Sequence, residues 1–322
     1  MVIPPKIEDE IFIKLKRFEG NIDNNKNIED ILKYDPKYVE EIIFKHLKDT
    51  DNQNLNYLYQ ILIILGNFDT PRALLTLGKF SDPFVNTDEK EPVLARPRHI
   101  RVAAINAIMT KTDEKRSNLV IKHISDADPI FQSLVLKLLK DKEVKEAIAP
   151  AYETFKKSST DALFKVKIDA ATLIIALSTD PQLKNSVRLN MLIDPNIHIR
   201  KAGLTLLSEG GEPGDAEVRR KLIELLKNAK DEELELACKG IGTLKASEAK
   251  DDLITILNRE NSPLIKWECL NSLYKINYDS TELNKKIKEL IDTYKGKGNI
   301  KNADQERFQR LLDFINSQKE QK

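Results

Sequence analysis

The chain has 322 residues, with 52 Lys+Arg against 51 Asp+Glu, so its net charge of +1 gives no overall field to draw it to nucleic acid or anionic lipid. Hydrophobic residues make up 41% and glycine only 11 positions, the composition of a soluble, mostly helical protein. Two cysteines, four scattered histidines and no apolar run approaching the length of a bilayer exclude a disulfide framework, a spaced metal-ligand set and a membrane-spanning helix.

Residues 1–54 read as an N-terminal helical cap: Ile7, Ile11, Leu15 and Phe18, then 28–32 and 39–47, form amphipathic stripes without a repeat signature. The first six residues contain no apolar targeting segment, and a cytoplasmic location is expected. From 55 to 295 one pattern recurs. Seven stretches begin at Tyr57, Ile100, Phe131, Val166, Ile199, Leu236 and Ile265. Each carries a large apolar residue eight places on: Leu65, Ile108, Leu139, Ile174, Leu207, Leu244 and Leu273. Four places in, the residue is small at Ala104, Ala170, Gly203, Gly240 and Cys269. Offsets of four and eight share one helical face, and a small side chain there admits a neighbouring helix. A recurring helical unit predicts a stacked array in which each unit buries its apolar face on its neighbours.

Second helices with plain apolar stripes are expected at 71–80, 113–125, 142–156, 181–193, 215–228, 246–258 and 280–294, with Pro150 kinking the third of them. Asp35-Pro36, Thr70-Pro71, Asp128-Pro129, Asp180-Pro181, Asp194-Pro195 and Ser262-Pro263 each place a capping side chain before a proline at the first helical position. The first two anchors lie 43 residues apart, and the insert at 81–98 is expected as a loop without secondary structure. Apart from a short loop at 210–214, no linker interrupts the chain, so one folded unit is expected. Phe308, Leu311, Leu312 and Ile315 mark a capping helix within 296–322, ahead of a polar tail. Cys238 and Cys269 occupy different offsets of adjacent units and are expected on different faces, Cys269 as a packed core thiol.

Asp194-Pro195-Asn196-Ile197-His198-Ile199-Arg200-Lys201-Ala202-Gly203-Leu204 resembles the second helix of a HEAT repeat, and the stretches from His99 and from Asp128 repeat it. The resemblance covers about 55–295 and is to the short HEAT-like units of prokaryotic, armadillo-type proteins. It implies an all-α, right-handed α-α superhelix of about seven helical pairs with helical end caps. It also implies that the basic residue after the anchor (Arg101, Lys167, Arg200 and Lys266) pairs with acidic caps to form a ladder between units; Leu58, Gln132 and Ala237 interrupt it.

The same resemblance brings enzymes into view. Deoxyhypusine hydroxylases place His-Glu pairs in successive repeats, whereas none of His46, His99, His123 and His198 is followed by Glu. HEAT-like DNA glycosylases use a basic aromatic groove, whereas this chain is nearly neutral and has a single tryptophan, Trp267. Nothing singles out the bilin chemistry of HEAT-like lyases, and no nucleotide loop or nucleophile elbow occurs. No catalytic residue, metal ligand or cofactor is therefore assigned. The expected function is a non-enzymatic scaffold or adaptor that binds a protein on the face presented by offsets two, six and nine. Tyr59, Val102, Asn106, Lys201, Trp267, Asn271 and Tyr274 carry that expectation, together with Ile63, Met109, Ile168, Thr172 and Thr205. Two alternatives remain open: nucleic-acid binding through the basic cluster Arg96, Arg98, His99 and Arg101, and a lyase-type enzyme subunit.

Overall fold

The computed structural model of the chain describes residues 3–19, 24–49, 55–85, 94–158, 163–210, 216–259, 262–295 and 302–320. The described residues are helical apart from turns and one pair of two-residue strands, β1 (Phe84–Val85) and β2 (Leu94–Ala95). The chain divides into two compact units, Met1–Ser158 and Ser159–Lys322, where the sequence predicts one uninterrupted array.

In the first unit, α1 (Pro5–Lys16), α2 (Asn24–Ile31) and α3 (Pro36–Asp49) precede three helical pairs. These are α4 (Leu55–Gly66) with α5 (Pro71–Ser81), α6 (Arg98–Ile108) with α7 (Glu114–Ile121), and α8 (Pro129–Asp141) with α9 (Ile148–Lys157). The residues at the anchor and at four, five and eight places beyond it are buried in all three anchor helices, as in Ile100, Ala104, Ile105 and Ile108. That spacing makes the apolar face of each helix, and α6 buries it against α4 and α5. Approach is close enough that a Cβ on Gly66 would stand 2.5 Å from the carbonyl oxygen of Ala107. Pro150 is the third residue of α9, and a short 3-10 turn, Lys145–Ala147, precedes that helix. A first-turn N–H has no intrahelical acceptor to lose, so the expected kink is replaced by a fresh helix start.

The second unit repeats the scheme four times. Its pairs are α10 (Phe164–Leu177) with α11 (Pro181–Leu192), α12 (Ile197–Gly210) with α13 (Ala216–Asn228), α14 (Asp231–Thr243) with α15 (Lys250–Arg259), and α16 (Pro263–Lys275) with α17 (Ser280–Lys295). The stripe Phe308, Leu311, Leu312 and Ile315 is buried on α18 (Asn302–Glu320), which packs on α16 and α17. Thr70, Asp128, Asp180 and Ser262 cap helices that begin on the following proline, and Asp35 Oδ1 accepts from the Lys37 amide ahead of α3. At Asp194-Pro195 the helix starts later, on Ile197, and Asn196 accepts from the His198 amide.

One anchor moves. Thr110 Oγ1 donates to the carbonyl of Gly66, nine places past Tyr57, and Thr243 Oγ1 donates to that of Ser208, nine places past Ile199. Thr110 stands ten places past Ile100, so the equivalent start in α14 is Glu233 rather than Leu236. The helix ends agree. After α8, α14 and α16 the residues Glu143, Lys245 and Asn277 adopt positive φ. The next amides, of Val144, Ala246 and Tyr278, donate to the carbonyls of Leu139, Ile241 and Leu273. This closure is the Schellman arrangement, and each accepting residue stands eight places past its anchor only if α14 is counted from Glu233. The small residue of that unit is then Ala237, and Leu236 is only partly buried. A charged residue occupies the anchor because Glu233 is neutralised there by Arg200, with Oε1 2.6 Å from Nε.

Candidate functional site

The open face of the anchor helices follows from this register. Offsets two and six supply exposed or half-buried side chains: Tyr59 is 45% exposed on α4, and α6 carries half-buried Val102 and exposed Asn106. Offset three adds Leu134 on α8, at 37% exposure. Offset nine is closed in three of the seven anchor helices. Gly66, Met109 and Gly242 occupy it and are buried between stacked helices. Of the seven residues singled out from sequence, Tyr59, Val102 and Asn106 lie in the first unit, whereas Lys201, Trp267, Asn271 and Tyr274 lie in the second.

In the second unit the aromatic pair is already engaged. Trp267 Nε1 donates to the Arg307 carbonyl at 3.3 Å, and Tyr274 meets Phe314 edge to face with centroids 5.5 Å apart. Both partners are on α18, so Trp267 and Tyr274 serve packing of the C-terminal helix rather than a free surface. Phe314 itself stays 49% exposed. Lys201 pairs with Glu232 at 2.6 Å, and Asn271 is half-buried beside Glu268. Burial pushes the Glu268 carboxyl above its ordinary range, and its Oε2 has no hydrogen-bond partner among the described residues.

The basic cluster does not present four free cations. Arg101 is buried; its guanidinium pairs with Asp126, donates to the Ser81 carbonyl at 2.9 Å and stacks 3.8 Å from the centre of the Phe131 ring. Arg98 makes a two-pronged pair with Asp128 at 2.5 and 3.1 Å. Arg96 lies over Phe80 and donates to the carbonyls of Lys79 and Asp82. His99 is exposed. Arg101 is thus a rung between units, like Lys167 with Asp194 at 2.6 Å and Arg200 with Glu233. The insert it follows is not wholly irregular, since β1 and β2 pair antiparallel with Phe84 opposite Ala95. Residues 86–93 of the insert and 211–215 of the glycine-containing loop lie outside the described residues.

Where α5 ends against the turn after α7 lies a constellation that sequence reasoning missed, because Ser81 is 42 residues from His123. His123 Nε2 is 2.8 Å from Ser81 Oγ, and its Nδ1 is 3.7 Å from Asp126. The residue types are those of a hydrolytic triad, but the bonding is not. Ser81 Oγ donates to the Gly78 carbonyl at 2.7 Å, so it accepts from His123. Asp126 is committed to Arg101, and burial, aided by the Lys122 charge, holds the imidazole down to about 4. A ring so weakly basic, facing an acceptor, cannot take the serine proton near neutrality. The cluster is a buried polar link between the end of α5 and the turn that follows α7. Among the described residues no group of three His, Cys, Asp or Glu side chains is arranged to hold a metal ion, and no helix is long and apolar enough to cross a membrane.

No family model matches the chain, and no curated protein matches it in sequence. Solved structures do match in fold. Kap121p bound to Pho4p aligns over 89% of this chain and 35% of its own length, at 13% identity and a TM-score of 0.52. Human deoxyhypusine hydroxylase in complex with glycerol covers 97% of this chain and 98% of its own, at 13% identity and a TM-score of 0.32. The complex of CpcE and CpcF of phycocyanin lyase from Nostoc sp. PCC7120 covers 82% and 91%, at 14% identity and a TM-score of 0.34. The chain spans about a third of the Kap121p structure (35%), and the likeness is one of fold. With the helical pairs and rungs described above, it identifies an all-α, HEAT-like repeat fold.

Proposed function

We propose that the chain is a non-enzymatic protein-binding module, and that its first unit takes a partner segment along the open face of α4, α6 and α8. The observation that carries this reading is the row Tyr59, Asn106 and Leu134, where aromatic, amide and aliphatic groups are exposed on successive stacked helices. Exposed aromatic and aliphatic anchors flanked by amides suit a peptide or protein surface, whereas a phosphate backbone asks for free cations. Two cations of the sequence-predicted basic cluster, Arg98 and Arg101, are spent on Asp128 and Asp126. The Kap121p structure, similar in fold, was solved bound to Pho4p, which is in keeping with a binding role. Two free cysteines fit a reducing, cytoplasmic setting.

A photo-crosslinking amino acid placed at 59 or at 134 in the native host tests the reading, with Leu75, 60% exposed on α5, as the control position. The expected result is one protein captured from 59 and 134 and not from 75. Tyr59→Ala with Leu134→Asp should then weaken binding of that purified protein by tenfold or more, about 1.4 kcal/mol. Capture of nucleic acid alone, or equal capture from all three positions, overturns the proposal.

A further inference from the structure

We propose that Cys238 and Cys269 are a reversible redox pair, which an oxidant of the peroxide class joins into a disulfide that staples α14 to α16. Both side chains are fully buried, and their sulfurs touch at 3.4 Å. They meet because the register of α14 sets Cys238 five places past Glu233, facing Cys269 four places past Ile265; the two are not on different faces. A disulfide needs a sulfur separation of about 2.05 Å, so the two sulfurs must approach by roughly 1.4 Å to bond.

The two helices are also hydrogen-bonded to each other at this contact. Ser272 Oγ donates to the Cys238 carbonyl at 2.7 Å, across the same contact. One turn further along α14, a Cβ on Gly242 would fall 2.5 Å from Ser272 Oγ and 2.9 Å from its Cα. That close backbone approach sets the two thiols on facing rows of α14 and α16.

The chemistry balances with one peroxide per pair. One sulfur, as thiolate, attacks a peroxide oxygen; the O–O bond breaks, a sulfenic acid forms and the displaced hydroxide leaves as water. The second sulfur attacks the sulfenyl sulfur; the S–O bond breaks, and the departing hydroxide takes the second thiol proton as another water. Two thiols are oxidised by two electrons and the peroxide is reduced to two waters. The hydrogen bond with Cys269, burial and the Glu268 charge together push the Cys238 thiol up. Oxidation therefore proceeds on local opening of α14 and α16, not at the closed surface.

Reduced, full-length chain treated with hydrogen peroxide under native conditions, then denatured, alkylated and digested, tests the pair by mass spectrometry. The expected product is a monomer two hydrogens lighter, with one peptide joining Cys238 to Cys269, restored by dithiothreitol. Hydrogen exchange in α14 and α16 should slow in the oxidised form. Cys238→Ala, checked for helix content, should leave Cys269 as a sulfenic acid that a dimedone probe traps, or as free thiol. Both thiols remaining alkylatable at peroxide levels that fully oxidise glutathione overturns the proposal. So does a disulfide found only between chains, or only above the urea unfolding transition.

Discussion

The guanidinium of Arg116 is fully buried, with Nη1 3.0 Å from the carbonyl oxygen of Gly66. A side chain on α7 thereby closes the C-terminal end of α4, in the preceding pair. The same group donates to Ile108 O at 2.7 Å and Phe68 O at 2.8 Å, and it reaches Asp69 at 2.9 Å. Carbonyls at helix ends lack intrahelical donors, and a planar fork of N–H groups serves several at once. Arg116→Met keeps the stem and removes the donors, leaving buried acceptors that each cost about 1–3 kcal/mol. The expected loss is about 3 kcal/mol or more for the first unit, read by urea unfolding. Hydrogen exchange should rise first at the ends of α4 and α6; unchanged exchange there would falsify the clamp.

His123 gives the first unit a pH dependence of defined sign. Its folded-state pKa is held down to about 4 by burial, against an ordinary value of 6.5. Above 6.5 both folded and unfolded rings are neutral and nothing is lost. Between 6.5 and 4 the unfolded ring binds a proton that the folded ring refuses, so stability falls as the pH drops, by up to about 3 kcal/mol. His123→Gln should flatten the midpoint of urea unfolding between pH 7 and 5, relative to the unaltered chain. Parallel slopes for the two proteins would show that the imidazole is not the titrating group.

Helix contacts discriminate sharply among glycines. Gly66→Ala would drive a Cβ to 2.5 Å from Ala107 O, and Gly242→Ala would place one 2.5 Å from Ser272 Oγ. Each should cost about 1–3 kcal/mol as overpacking, because both meet backbone: Ala107 O at 2.5 Å and Ser272 Cα at 2.9 Å. Gly210→Ala meets nothing within 4 Å and should be neutral or slightly stabilising. Thermal melts of the three variants check the order.

Trp267 and α18 should come apart together. Trp267→Ala removes the indole N–H donor to Arg307 O and the apolar surface under α18. Amide exchange in α18 should then rise by tenfold or more, about 1.4 kcal/mol of local stability, with little change in α12. If exchange in α18 is unaltered while binding of a protein partner weakens, the tryptophan belongs to an interaction surface after all.

Much of the fold was legible in the sequence because its signal is periodic. The offsets of zero, four, five and eight predicted buried faces in α4, α6, α8, α10, α12 and α16 from residue type alone. The slip at α14 has a single cause: Glu233 holds an anchor position that burial usually reserves for apolar residues, and Arg200, distant in sequence, neutralises it. Three residues of drift then hid the contact of Cys238 with Cys269. The candidate surface was less legible. Offsets two and six are open on α4 and α6, but Ser133 at offset two of α8 is buried, so whether such a residue is free depends on what packs beside it. α18 covers Trp267, whereas Tyr59 stays exposed. The division at Ser158 falls in the short polar stretch Lys156-Lys157-Ser158-Ser159-Thr160-Asp161, which has neither the proline or glycine nor the length that would set it apart from the other turns.

Glu143, Lys245 and Asn277 close their helices in the left-handed region, a conformation that glycine adopts without the steric cost of a Cβ. At 143 and 245 that cost is about 1 kcal/mol each, and the Schellman hydrogen bonds hold the backbone there regardless. A glycine at either position should release it, so the chain carries latent stability at the ends of α8 and α14. The open face can therefore drift: a new contact residue that weakens packing by a similar amount could be absorbed by one change at a helix end. Binding specificity and foldedness are, to that extent, free to evolve apart.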